Sequence, residues 1–387
     1  IAHVFRTAQE SVAAVWCPDG DELTSIYVAK RRATVTDIMG NDESMPAGGD
    51  VLWLPTGESV RYVRDLSDDA EGRGTLQAFD PCQVARGETG TLTMRMRNPF
   101  DSEWQASPTL LATENQPLRI TKDGVVKADE VTELHFGPLE TVTVDGPVEV
   151  DPDAIPGIYA VTGAGLTSPV EIAVRGAAPD AGPVGVWKLD EGEGTVITDS
   201  SGTGNDGTVA EPKWVEGVSG TALEFDGTQT AEIPTSASLN LQDEMTLAFW
   251  IRLGPETGDW QFPVGKYSHD PLVRNYGMYI HKDTLDPCFS ASFEDGGYAH
   301  TDVRSNMPIN DGEWHHVVAT CSVFDARTRI YVDGEPVVDQ VMAEGLMLVA
   351  DAPLRIGAST VGAIDEVMVW PRVLNGEEVS ELALGGD

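Results

Sequence analysis

The 387-residue chain is short of positive charge: 25 Lys and Arg stand against 63 Asp and Glu, a formal net charge of −38, and only seven of the basic residues are lysines. Nucleic acid, which is bound through a positive footprint, is therefore a poor partner. A polyanionic polysaccharide is disfavoured for the same reason, unless a local arginine patch or calcium mediates the contact. There is no run of 18 or more apolar residues, so no membrane-spanning helix is expected. The four cysteines, Cys17, Cys82, Cys288 and Cys321, lie far apart and form no Cys-x-x-Cys pair, which removes the common zinc frameworks. Four buried thiols are expected of them, with one or two disulfides as the alternative. Long apolar patterns of period 3.6 are nearly absent, which argues against a helical protein.

What is present points to strands. Forty glycines and 24 prolines punctuate short Val, Ile, Thr and Phe runs, the spacing of an all-β chain. The length implies two or three domains. An acid-rich, lysine-poor surface suits a saline setting, where self-repulsion is screened; solubility alone is the alternative reason. The chain starts at Ile1 without Met or a signal-peptide pattern, and is expected to be a processed or excised piece.

Three regions are expected. Residues 1–76 alternate strand and turn, with Val15-Trp16, Val35-Thr36-Asp37-Ile38-Met39-Gly40-Asn41 and Ser59-Val60-Arg61-Tyr62-Val63. These resemble the small β-sandwich that follows the catalytic barrel in many glycoside hydrolases, which implies that a catalytic domain once preceded Ile1. Residues 77–176 carry the period-two run Thr91, Thr93, Arg95, Arg97 against Leu92, Met94, Met96. With Asn98-Pro99 and Pro156-Gly157-Ile158-Tyr159, they resemble the immunoglobulin-like spacer domains of glycosidases. "RGAAPDAGP" (175–183) reads as a linker.

From residue 184 to 387, "VWKLDEGEGTVITDSSGTGNDGTV", "GTALEFDG", "GEWHHVV", "PLRIGAS" and "GAIDEVMVWPRVLNGEEVSEL" occur in that order. This region resembles the laminin-G-like, concanavalin A-like jelly rolls. The fold class expected is therefore all-β, two small β-sandwich (immunoglobulin-like) domains followed by a concanavalin A-like jelly roll. The resemblance implies a binding activity, often toward carbohydrate and with calcium.

Adjacent residues of a strand point to opposite faces, so His315 and His316 do not converge on one ligand. They read as structural; the resemblance implies Trp314 packing inside and Asp333-Gly334 forming a hairpin turn. Glu224 and Asp226 share a face, as the carboxyl pair of a retaining glycosidase would, but Thr228 stands where a third acid is needed and Gly227 starts a turn. For calcium, which takes six to eight oxygen ligands, the resemblance brings "TDSSGTGNDG", the turn after "EFDG" and "IDEV" together. Asp199, Asp226 and Asp365 are the expected side-chain ligands, helped by carbonyls of residues 201–205. Sugar binding relies on exposed rings and hydrogen-bonding side chains. Trp260, Tyr267, His269 and Arg274, facing Tyr298 and His300 from a second loop, are the candidates, and Tyr276 is a candidate for the core.

The reading is a non-catalytic, secreted accessory region whose jelly roll binds a polysaccharide or oligosaccharide. The alternatives are a glycoside hydrolase or polysaccharide lyase in its own right, and a protein-binding adhesion module.

Overall fold

The computed structural model describes residues 2–6, 11–15, 22–27, 32–37, 42–46, 51–56, 61–63, 77–79, 82–97, 103–106, 109–110, 117–126, 130–131, 134–138, 140–161, 170–254, 258–269, 271–294, 300–341 and 345–385. Contacts divide the chain into two units, Ile1–Val174 and Arg175–Asp387. Among the described residues no helix is long and apolar enough to cross a membrane.

The first unit is built from β-sandwich sheets. One orders Ala2–Arg6, Ser11–Val15, Arg61–Val63, Arg32–Thr36 and Asp42–Pro46; a second orders Gly124–Val126, Leu118–Thr121, Thr141–Val150, Thr89–Arg97 and Gln77–Phe79. In Thr89–Arg97 the alternation holds: Leu92 and Met94 are buried while Thr91 and Arg95 face water. Leu118, Ile120, Val148 and Val150 pack against Ile172 and Val174 of the strand Val170–Arg175. Asn98 and Pro99 lie outside the described residues, as does Cys17. Cys82, Cys288 and Cys321 are buried thiols outside any disulfide; burial pushes the Cys288 and Cys321 thiols up to about 12.

The second unit is a jelly roll of two stacked sheets. The first orders Lys213–Glu216, Thr221–Asp226, Val361–Trp370, Glu244–Leu253, His315–Ser322, Arg327–Val332 and Glu335–Val341, with Gly185–Trp187 also paired to Val361–Trp370. The second orders Val196–Ile197, Gly207–Val209, Ala231–Ile233, Leu354–Ala358, Gln261–His269, Leu272–Ile280, Pro287–Ser292 and His300–Arg304. Strand Glu244–Leu253 shows why they stack. Met245, Leu247, Phe249 and Ile251 face Val264, Tyr276, Met278 and Ile280 of the opposite sheet. Fully burying each such side chain contributes about 1.5–3 kcal/mol. Its alternate residue Ala248 points outward, where Val318, Tyr331, Trp370, Leu374 and Val379 form a smaller core against helix Gly376–Ala383. Asn375 caps that helix, accepting from the Glu377 and Glu378 amides while Glu378 reaches back to the Asn375 amide.

His315 and His316 diverge as the strand period requires. The His315 ring bridges Asp333 (2.8 Å) and Asp311 (3.0 Å), whereas the buried His316 ring lies 5.1 Å from Trp250. Burial takes the His316 imidazole down to about 4, so it is neutral near pH 7. Asp333 and Gly334 both have positive φ, 54° and 83°, as a two-residue hairpin turn demands. Trp314 departs from expectation: it is half-buried beneath the Arg252 guanidinium, 4.9 Å from its ring, and Ile309 occupies the core instead.

Candidate functional site

The face of the second sheet that turns away from the core is set by a β-bulge. Lys266 pairs with Tyr276 but Tyr267 pairs with Arg274, so Asn275 is an extra residue in its strand. Asn275 is buried and its Nδ2 donates to the Leu241 carbonyl at 2.7 Å. The insertion puts Tyr276 into the core, where its hydroxyl donates to the Leu239 carbonyl, and leaves Arg274 beside Tyr267 on the outer face.

On that face six rings run in sequence. His269 and Tyr267 are 5.3 Å apart, Tyr267 and Phe262 5.6 Å, Phe262 and Tyr279 6.1 Å, Tyr279 and Trp260 5.2 Å, and Trp260 and His281 4.4 Å. The Trp260 ring plane crosses those of Tyr279 and His281 at 70° and 76°, and 37% of the residue remains exposed. A cavity of about 270 Å³ opens here, lined by Trp260, Phe262, Arg274, Tyr279 and Asp302.

Its polar wall is one ion pair. Arg274 Nη1 donates to Ser290 Oγ at 2.8 Å and to Asp302 Oδ1 at 3.3 Å, and its guanidinium lies 5.6 Å from the Tyr279 ring. Burial and the adjoining Asp302 carboxylate hold the Tyr279 phenol above its ordinary range, so it is a neutral group at neutral pH. Chemically this is an apolar platform beside one cationic donor and one anionic acceptor.

Of the residues singled out from sequence, Trp260 and Arg274 line the cavity, and Tyr267 and His269 extend the run of rings. Tyr298 lies outside the described residues, and for His300 only its place at the start of strand His300–Arg304 is described. Phe262, Tyr279 and Asp302 were missed. Trp260 and Phe262 are two apart, as residues of one strand face are, and that spacing was the available signal.

The calcium expectation meets a different geometry. Asp199 Oδ1 accepts from the Val186 and Ser201 amides, and Oδ2 accepts from Ser201 Oγ, Thr203 Oγ1 and the Asn205 amide. Burial opposes ionisation there, yet the bonds from Asn205, Ser201 and Val186 outweigh it and hold the carboxyl down to about 2. Asp365 Oδ2 accepts from the Val218 and Ser219 amides and Oδ1 from the Glu366 amide, while burial pushes its carboxyl up to about 6. Asp226 is exposed and bonds Thr228 through both its hydroxyl and its amide. Asp199 and Asp226 thus clamp their own turns, and Asp365 holds the sequence-distant turn at Val218 and Ser219. Among the described residues no three His, Cys, Asp or Glu side chains gather to hold a metal, so the set Asp199, Asp226 and Asp365 does not fit a shared calcium.

Residues 225–380 match the family model of the concanavalin A-like lectin/glucanases superfamily. No curated protein matches the chain. The binding domain of Paraclostridial Mosquitocidal Protein 1 is similar at 17% identity and a TM-score of 0.44, over 52% of this chain and 51% of that one. Domain 4 of AbnA, an extracellular GH43 arabinanase from Geobacillus stearothermophilus solved with arabinotriose, is similar at 18% identity and a TM-score of 0.43, over 52% of this chain and 98% of that one. The binding domain of Botulinum Neurotoxin DC, in complex with SialylT, is similar at 11% identity and a TM-score of 0.45, over 54% of this chain and 53% of that one. The chain thus spans about half the length of the two toxin domains.

Proposed function

We propose that the second unit is a carbohydrate-binding module and that the cavity beside Trp260 is its ligand site. The observation that carries this reading is the combination found there: a part-exposed indole and two further rings against a single Arg274–Asp302 pair. Rings of this kind stack on the apolar faces of sugars, and a fixed donor–acceptor pair orients hydroxyl groups.

The reading is a non-catalytic one. Hydrolysis of a glycosidic bond ordinarily uses two carboxyl groups, about 5–5.5 Å apart for retention or about 6.5–9.5 Å for inversion. Among the described residues lining the cavity Asp302 is the sole carboxylate, and it is tied to Arg274. A secreted location and attachment to a larger glycoside hydrolase complete the proposal, on the strength of the sequence resemblance of residues 1–176.

A glycan array with the intact chain, followed by a reducing-sugar assay on each hit, tests it. Binding that Trp260→Ala abolishes, without release of reducing ends, is the expected result. Release of reducing ends that a single carboxylate substitution stops would make the chain an enzyme.

A further inference from the structure

The cavity is smaller than the pockets of about 300–1,000 Å³ that enclose drug-sized ligands, whereas the run of rings does not stop at it. Beyond Phe262 lie Tyr267 and then His269, which is exposed. At that end the polar arrangement of the cavity is repeated. The Arg355 guanidinium sits 5.1 Å from the Tyr267 ring and its Nε is 3.2 Å from Glu232 Oε1, as Arg274 sits over Tyr279 and pairs with Asp302.

The sheet register connects the two ends. Glu232, Arg355, Gly265, Gly277, Ser290 and Asp302 are successive cross-strand partners. They form one row perpendicular to six strands, about 24 Å long at ~4.8 Å per strand. The two residues at its middle are glycines, and the space above them is left to the rings: Tyr267 Cδ1 lies 3.3 Å from where a Gly265 Cβ would stand. A Cβ on Gly277 would lie 3.0 Å from the Gly265 Cα, closer than the opposing backbone tolerates without shifting. A hollow of about 10 Å³, room for one water, borders both glycines and shares Phe262, Arg274 and Tyr279 with the cavity.

We propose that Tyr267, His269, Arg355 and Glu232 form a second subsite, and that the ligand is an uncharged, extended oligosaccharide segment lying across the strands, not a single terminal sugar. This rests on the carbohydrate-binding reading above. Each arginine is already neutralised by a carboxylate, and the chain as a whole carries a net charge of −38; an anionic glycan would be repelled. Two linked subsites also make the second contact intramolecular, so affinity grows with ligand length until both are filled.

Calorimetric titration of the intact chain with gluco-, xylo-, manno- and arabino-oligosaccharides of one to six units tests the proposal. For the ladder that binds, affinity is expected to rise at least tenfold from the shortest to the longest member. Arg355→Gln and His269→Ala, checked for an unchanged melting temperature, are expected to remove that rise while leaving the shortest binding member unaffected. Trp260→Ala is expected to weaken every member. A flat ladder, or a rise that survives both Arg355→Gln and His269→Ala, overturns the second subsite while leaving carbohydrate binding in place. Tighter binding of oligogalacturonates than of any neutral ladder overturns the uncharged ligand. Failure of every oligosaccharide to bind sinks the carbohydrate reading itself.

Discussion

Replacing Asp199 by Asn separates a loop clamp from a metal ligand. The carboxylate takes five hydrogen bonds, and three of them converge on Oδ2. An amide nitrogen at that position would face the Asn205 N–H and leave it unpaired. A carboxyl held at about 2 instead of 3.8 corresponds to about 2 kcal/mol of folding stability at neutral pH. One buried N–H left without a partner adds about 1–3 kcal/mol. The expected loss for Asp199→Asn in the urea unfolding of the second unit, followed by tryptophan fluorescence, is therefore about 3–5 kcal/mol at pH 7. The sign with pH follows from a depressed folded-state value: the ionic part is complete above 3.8 and disappears as pH falls toward 2. The gap between wild type and variant should narrow by about 2 kcal/mol between pH 5 and pH 2. A gap that is below 1 kcal/mol, or that does not change over this interval, would refute the assignment. Calcium that stabilises the wild type and not Asp199→Asn would show that the carboxylate ligates an ion.

Three further outcomes are expected. Addition of a chelator should leave both the unfolding midpoint and glycan affinity unchanged, since Asp199, Asp226 and Asp365 are spent on turn amides; a shift in either measurement contradicts this. Trp260→Ala should cost about 1.5–3 kcal/mol of binding, a Kd raised at least tenfold in titration calorimetry, with the unfolding curve unmoved. Although burial works against protonation of His315, its bonds to Asp333 and Asp311 prevail and raise the imidazole above its ordinary value. The stabilisation it gives is thus complete below pH 6.5 and lost as pH rises through the raised value, and the stability difference between wild type and His315→Gln should shrink accordingly.

The strand pattern was legible because burial writes itself into sequence with period two. Leu92 and Met94 are buried between exposed neighbours, and the Asp333-Gly334 turn carries the φ angles its residue types favour. The candidate site was legible only in part, for a reason visible at Asn275. Strict alternation puts Arg274, Tyr276 and Met278 on one face, and nothing in the residue types announces that the register slips there. The structure sends Arg274 out and Tyr276 in. Asp302 was hidden differently, since a lone carboxylate in an acid-rich chain has no signature until its arginine is seen beside it. The residues expected to ligate calcium are oxygen donors in turns, a property that turn-clamping aspartates share.

Four of the six rings, Phe262, Tyr267, His269 and Tyr279, stand on strands paired on both sides, Gln261–His269 between Leu354–Ala358 and Leu272–Ile280, while Trp260 and His281 directly flank those strands. The positions of those four can change only if ladder hydrogen bonds break, so local opening of this face costs nearly what unfolding the jelly roll costs. Amides of the two central strands should exchange with solvent only through that rare event. A ligand arriving here meets a surface already in its bound shape, spends little on ordering it, and returns its binding energy to the unit as resistance to heat.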